Sequence, residues 1–304
     1  MRDATIPIGM YDGQVVPLAR PAVRRPGAFG EYEVLAPLAR GGMGGVYLAA
    51  HAVTRERVAL KVVDRQLASH PEVAVRLHDE YRLASLASHP GLVQIRDARM
   101  TADDLPYLVM EYLDGETLGA IADRGLLELP LAIQICAQVA SALAALHAAG
   151  VMHCDVKGDN VFVLAAGDGG WPRVKVIDFG VSRRVGETIE DGSIAGTPWC
   201  MAPEQWQSQP LPASDVYALG CLLYDLTTGF PPFDGSLPEL MLAHLEARPA
   251  RPSWLATMPL ELERIILRAL AKAPADRPTM AELAQDLTAL ADGYAVPVGL
   301  AAAG

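Results

Sequence analysis

The chain has 304 residues, a formal net charge of −11 and 51% hydrophobic residues. That apolar content excludes a disordered chain, the length can bury a core in one large or two smaller domains, and the acidic balance argues against nonspecific nucleic-acid binding, which needs clustered Lys and Arg. Cys136, Cys154, Cys200 and Cys221 show no CxxC spacing, so reduced thiols are expected rather than a zinc site or a secreted disulfide framework.

In chain order, residues 1–30 are rich in Pro, Gly and Arg and read as a tail. Short β-prone runs follow at 32–35, 46–50, 58–63, 92–99 and 107–112, predicting a small antiparallel sheet. One helix interrupts it, opened by the capping pattern Ser69-x-x-Glu72 and carrying Val73, Leu77, Tyr81 and Ala84 as an apolar stripe beside Glu80. Beyond Tyr112 helices dominate: 131–149 before Gly150, 215–228 before Gly229, and 260–273 before Pro274. The prediction is an α+β fold, with a β-rich part over 31–110, an α-rich part over 111–290, a hinge near 111–115 and a short C-terminal tail over 291–304. Apolar runs read as short and interrupted by charge, below the roughly 18 to 20 residues that span a bilayer. With no apolar segment behind a basic N-terminus, a cytoplasmic location without membrane contact is expected.

Lysine is scarce: Lys61, Lys157, Lys175 and Lys272 are the full set, so a lysine at a motif position carries weight. The run Ala39-Arg40-Gly41-Gly42-Met43-Gly44-Gly45-Val46 lets backbone amides approach phosphate oxygens, and alone it reads equally as a flexible β-turn. GxGxxGxV fits at Gly41, Gly44 and Val46, with Ala39 in the first glycine's place. Val58-Ala59-Leu60-Lys61 ends a buried strand on an ammonium that needs an anion, and Glu80 is the candidate; two unrelated surface charges are the bland alternative.

In His153-Cys154-Asp155-Val156-Lys157-Gly158-Asp159-Asn160, Asp155 is placed to accept a hydroxyl proton, Lys157 to offset γ-phosphate charge and Asn160 to hold a divalent ion. A strand then delivers Asp178 into the turn Asp178-Phe179-Gly180 as the principal magnesium ligand. Gly196-Thr197-Pro198, Ala202-Pro203-Glu204, Asp215 and Asp276-Arg277-Pro278 follow.

In this order, over residues 31–290, these motifs resemble the bacterial branch of the eukaryotic-like (Hanks-type) Ser/Thr protein kinases. The resemblance implies the bilobal protein-kinase fold, with a small β-rich N-lobe bearing one regulatory helix and a larger helical C-lobe. It implies ATP and Mg2+, with Mn2+ able to stand in, and serine or threonine of protein substrates as acceptor. Asp155, Lys157, Lys61, Glu80 and Thr197 would be the catalytic set, and Asn160 and Asp178 the metal ligands. Ala39, Gly41, Gly44 and Lys61 would serve the phosphates, Met110 would guard the adenine pocket, Glu111 and Leu113 would supply hinge contacts, and Val46, Ala59 and Phe162 would enclose the ring. A buried Glu204–Arg277 pair, and Asp215 tied to the backbone around His153, are implied as structural supports. With Lys61, Asp155 and Asp178 all present, an active enzyme is expected rather than a scaffold of the same fold. A small-molecule kinase of the aminoglycoside phosphotransferase type would not carry Ala202-Pro203-Glu204.

Three positions depart from that pattern. Cys154 stands where the family usually carries an arginine, and a thiol offers a loop phosphate neither charge nor strong donors. Phosphorylation at Ser193, four residues before Thr197, is therefore not expected to be the switch, unless Arg183 or Arg184 supplies the charge. Ala39 is expected to weaken nucleotide binding modestly. Cys200 replaces a common aromatic residue, and a Cys154–Cys200 redox pair is the alternative to two inert thiols. The run Arg24-Arg25-Pro26-Gly27-Ala28-Phe29 has the form of a pseudosubstrate, against the alternative of an unstructured tail.

Overall fold

The computed structural model describes residues 28–41, 44–68, 70–164, 170–187 and 195–294. It divides into two units: the first runs through Tyr81 and takes in Gln94–Tyr112, and the second takes Arg82–Val93 and the described chain from Leu113 onward.

Alternation of β-branched and aromatic residues makes the first unit a sheet. Its strands are β1 (Ala28–Phe29), β2 (Tyr32–Gly41), β3 (Gly44–His51), β4 (Arg57–Val63), β5 (Ile95–Met100) and β6 (Pro106–Glu111), all antiparallel in the order β1-β2-β3-β4-β6-β5. Phe29, Tyr32, Ala49, Val58, Leu60, Val62, Tyr107 and Val109 form one buried cluster, in which the Phe29 and Tyr107 rings lie 5.4 Å apart. Between β4 and β5 come α1 (Arg65–Ala68) and α2 (Pro71–Ala84), whose Val73, Leu77 and Glu80 are buried at helical spacing.

The tail reading is corrected at its end. Phe29 is a core residue on a strand, so a pseudosubstrate that includes it does not fit; Arg24 to Gly27 lie outside the described residues, as does the proposed cap Ser69. β2 continues to Gly41 rather than stopping at Leu35, because irregular register between Val34 and Ala36 and between Pro37 and Ala39 accommodates the proline. β5 starts at Ile95 rather than Leu92. Leu92 and Val93 instead bond in the second unit, where Val93 N–H donates to Val176 O at 2.9 Å and Val176 N–H to Gly91 O at 2.7 Å.

The second unit begins with β7 (Gly115–Thr117), α3 (Leu118–Ala122), α4 (Leu129–Ala148) and β8 (Val151–Met152), followed by β9 (Val161–Leu164), β10 (Val174–Val176) and β11 (Arg183–Arg184). Then come α5 (Pro203–Trp206), α6 (Pro212–Thr228), α7 (Leu237–Glu246), α8 (Leu260–Ala269) and α9 (Met280–Ala291). β7, β9 and β10 form a small antiparallel sheet and β8 pairs with β11.

At the centre lies α4, against α6 and α9. The expectation that charge interrupts every apolar run fails here: α4 has 20 residues without Asp, Glu, Lys or Arg and is long and apolar enough to cross a membrane. Ten of its residues, including Ile133, Val139 and Leu143, are buried in the unit, which accounts for a helix that is apolar nearly all round. α8 ends at Ala269, short of the predicted Ala273, because the Ala271 and Lys272 carbonyls are taken by Arg277 at 2.7 and 2.9 Å.

Candidate active site

The β2–β3 hairpin carries the glycine-rich run, with Gly41 opposite Gly44; Gly42 and Met43 lie outside the described residues. Gly44 has a φ of 156°, and a Cβ there would stand 2.0 Å from Val62 O, so its glycine is required by close backbone approach to β4. Ala39 is an exposed strand residue paired with Val46 and is not among the positive-φ residues. The register sets Ala39, Val46, Lys61 and Leu108 in one row across β2, β3, β4 and β6.

Lys61 Nζ donates to both Glu80 carboxylate oxygens, at 2.7 and 2.9 Å, and the Glu80 side chain is only 4% exposed. A carboxylate so deeply buried needs its cation, which makes the pair a fixed anchor rather than two surface charges. Ala59 is buried and lies opposite Met110, while Glu111 accepts the Gln94 N–H at 2.7 Å.

In the second unit the loop from His153 to Asn160 is held through its backbone. Asp215, on the first turn of α6, accepts the N–H groups of His153 and Cys154, each at 2.8 Å, and the His147 ring nitrogen at 2.8 Å. Burial opposes its charge, but the His147 bond and the fields of His147 and His153 prevail and hold its pKa below the ordinary value. Cys154 has a φ of 66°, a left-handed conformation unusual outside glycine.

The loop's side chains converge on Asp155. Its Oδ1 accepts the Thr197 hydroxyl at 2.6 Å, and its Oδ2 accepts Lys157 Nζ at 2.9 Å and Asn160 Nδ2 at 3.0 Å. Lys157 also donates to Thr197 Oγ1 at 2.8 Å. Burial works against the Lys157 charge, yet the field and hydrogen bond of Asp155 outweigh it and raise its pKa.

Asp178 follows β10 with a φ of 65°, its Oδ1 accepting Gly180 N–H at 3.2 Å. The strand is tied to the loop by Ile177 N–H on Asn160 O at 2.9 Å, and the Phe179 ring lies 5.5 Å from that of His153. Phe162 sits mid-sheet between Thr117 and Lys175, half-buried, and Leu113 is half-buried ahead of β7.

Farther along, the Arg277 guanidinium meets Glu204 through two bonds, at 2.7 and 2.9 Å, and spends its other donations on the carbonyls of Ala213, Ala271 and Lys272. A model of the protein kinase domain matches residues 32–287. The chain belongs to the protein kinase family.

Among curated relatives, this kinase domain is 40% identical over 258 residues to the serine/threonine-protein kinase Pkn1 of Myxococcus xanthus, covering 82% of the chain and 36% of Pkn1. It is 36% identical over 273 residues to PknB of Mycobacterium leprae and 37% identical over 282 residues to PknB of Mycolicibacterium smegmatis. Those two matches cover 86% and 87% of the chain, and 43% of each PknB. The chain thus spans roughly two fifths of the length of these bacterial Hanks-type kinases.

Several parts of this kinase domain escaped the sequence reading. His147 backs Asp215, the Ser214 hydroxyl donates to Glu204 at 2.6 Å, and Gln205 reaches the loop carbonyl of Cys154 at 3.0 Å. Ser214 and Gln205 each adjoin a recognised motif, and His147 stands six residues before His153, which is the only signal the sequence offered. The redox alternative is not supported: the described cysteines are free and buried, and burial pushes the Cys154 and Cys200 thiols upward, away from thiolate reactivity. Ser193 and Thr188 lie outside the described residues. Arg184 is exposed, whereas Arg183 is half-buried, acts on the Cys154 thiol and pairs with Glu187 at 3.7 Å.

Proposed function

We propose that this kinase domain transfers the γ-phosphoryl group of ATP to serine and threonine hydroxyls of protein substrates, and does so without a phosphate on the segment around Ser193. The observation that carries the reading is the convergence of Thr197, Lys157 and Asn160 on the Asp155 carboxylate. A carboxylate fixed by three donors is oriented to receive an acceptor hydroxyl and take its proton as the new P–O bond forms. Lys157 stands beside it as the cation that offsets charge on the transferred group, and its bond to Thr197 supports a Ser/Thr acceptor. Lys61, braced by Glu80, is the group for the α and β phosphates.

Magnesium, when bound, neutralises phosphate charge, and Asn160 and Asp178 offer the hard oxygen donors it takes. Among the described residues no cluster of three or more His, Cys, Asp or Glu forms an all-protein metal cage, which suits an ion that shares its shell with phosphate and water. Val46, Ala59, Met110, Glu111, Leu113 and Phe162 are assigned to the adenine and its hinge on the family resemblance.

The second half of the proposal rests on Cys154. A buried thiol in the place of arginine gives a loop phosphate no guanidinium to bind. Phosphate transfer to a generic Ser/Thr peptide is the test, with Asp155→Asn as the inactive control and Ser193→Ala as the probe. Asp155→Asn should lose at least a hundredfold while Ser193→Ala stays within tenfold of the parent. A larger loss at Ser193, more than about 1.4 kcal/mol in transition-state stabilisation, would reinstate loop phosphorylation.

A further inference from the structure

The backbone of Cys154 is gripped at both its N–H and its carbonyl. Asp215 takes its N–H and that of His153 before it, and Gln205 takes its carbonyl. Gln205 lies on α5, 4% exposed, with its amide fully used: Oε1 accepts Ala202 N–H at 3.1 Å, and Nε2 donates to Cys154 O at 3.0 Å and to Ala195 O at 3.4 Å. One amide therefore bridges the catalytic loop and the far end of the segment that leads to Thr197.

Gly196 shows how close these backbones lie. At its φ of 130°, a Cβ would stand 3.0 Å from Cys154 O and 3.2 Å from Gln205 Nε2. The left-handed backbone of Cys154 is an unfavourable conformation that must be held by its surroundings, and Gln205 and Asp215 hold its carbonyl and its N–H. No guanidinium does this work: Arg183, the nearby cation acting on Cys154, is engaged with Glu187.

We infer that Gln205 is a positioning residue for phosphoryl transfer: it locks the Ala195–Gly196 backbone onto the catalytic loop so that Thr197 and Lys157 meet Asp155, the task a phosphate–arginine clamp would otherwise perform. This rests on the phosphoryl-transfer reading above. The bond it supplies is neutral and permanent, so the arrangement does not wait for a modification.

The experiment measures kcat, KM for ATP and melting temperature for the parent, for Gln205→Met and for Gln205→Glu. Methionine keeps the volume without the donor, whereas a protonated Glu can donate to Cys154 O and an ionised one cannot. Gln205→Met should lose at least tenfold in kcat, with KM for ATP within twofold and the melting temperature nearly unchanged. Gln205→Glu should lose activity relative to the parent as the pH rises from 6 to 9. The inference is overturned if folded Gln205→Met retains kcat within threefold, or if its loss tracks a rise in KM for ATP and a drop in melting temperature together. If Gln205→Met does not fold, a pH-independent ratio of Gln205→Glu to parent overturns it. A parent chain with no phosphate transfer would sink the underlying kinase reading instead.

Discussion

Lowering the pH from 7 toward 4 should destabilise the second unit through His244. This residue, on α7, is fully buried; its Nδ1 lies 2.9 Å from Tyr217 Oη, and the Phe233 and Tyr217 rings stand edge-on at 5.0 and 5.6 Å. Burial first, then the field of Lys272, lower its pKa from 6.5 to about 4, with a Trp199 backbone group working weakly the other way. A depressed pKa means the unfolded chain binds a proton that the folded chain refuses. The contribution is therefore intact above pH 6.5 and is lost as the pH falls through the interval to about 4. Across that interval, at about 1.4 kcal/mol per unit, the loss is about 3 kcal/mol. Urea unfolding of the parent and of His244→Gln at pH 7.5, 6, 5 and 4.5 measures it, since carboxylates titrating elsewhere cancel in the difference. The two stabilities should converge by about 2 to 3 kcal/mol on acidification. Parallel curves would show that His244 takes its proton in the folded state and would refute the reasoning.

The Lys61–Glu80 anchor should show a coupling of about 1 to 3 kcal/mol in a double-mutant cycle of Lys61→Met and Glu80→Gln, read by denaturant unfolding, whereas two unrelated charges would give values near zero. Lys61→Met should also abolish phosphate transfer in the peptide assay. Phe29→Ala should cost about 3 to 5 kcal/mol, as for a large aromatic removed from a packed core, where a tail residue would cost nothing measurable.

Residues whose chemistry demands one side chain were legible from order and spacing. Asp155, Lys157, Asn160, Asp178, Lys61 and Glu80 could be named because few other residues make those charges and donors at those intervals. Elements fixed by pairing rather than by composition were not. Nothing local in Leu92 and Val93 tells that this segment pairs with Val176 instead of extending β5, and Phe29 gives no sign that a two-residue strand carries it into the core. The length of the apolar run in α4 was hidden because Gln134, Gln138, Ser141 and His147 interrupt it without adding any Asp, Glu, Lys or Arg. Gln205 was invisible for a different reason: its partners are carbonyls, which every residue has, so no co-occurring side chain marks the bond.

Arg277 joins Glu204, Ala213, Ala271 and Lys272, stretches of chain up to 73 positions apart. During synthesis, a chain that has emerged only through α6 holds Glu204 without its guanidinium, a carboxylate that cannot yet be buried at low cost. The turn at Pro203–Trp206, which carries the Gln205 bond to the Cys154 carbonyl, therefore gains its Glu204 counter-charge only once Arg277 has been made. The sheet of the first unit needs no such late arrival, since all its strands are complete by Glu111.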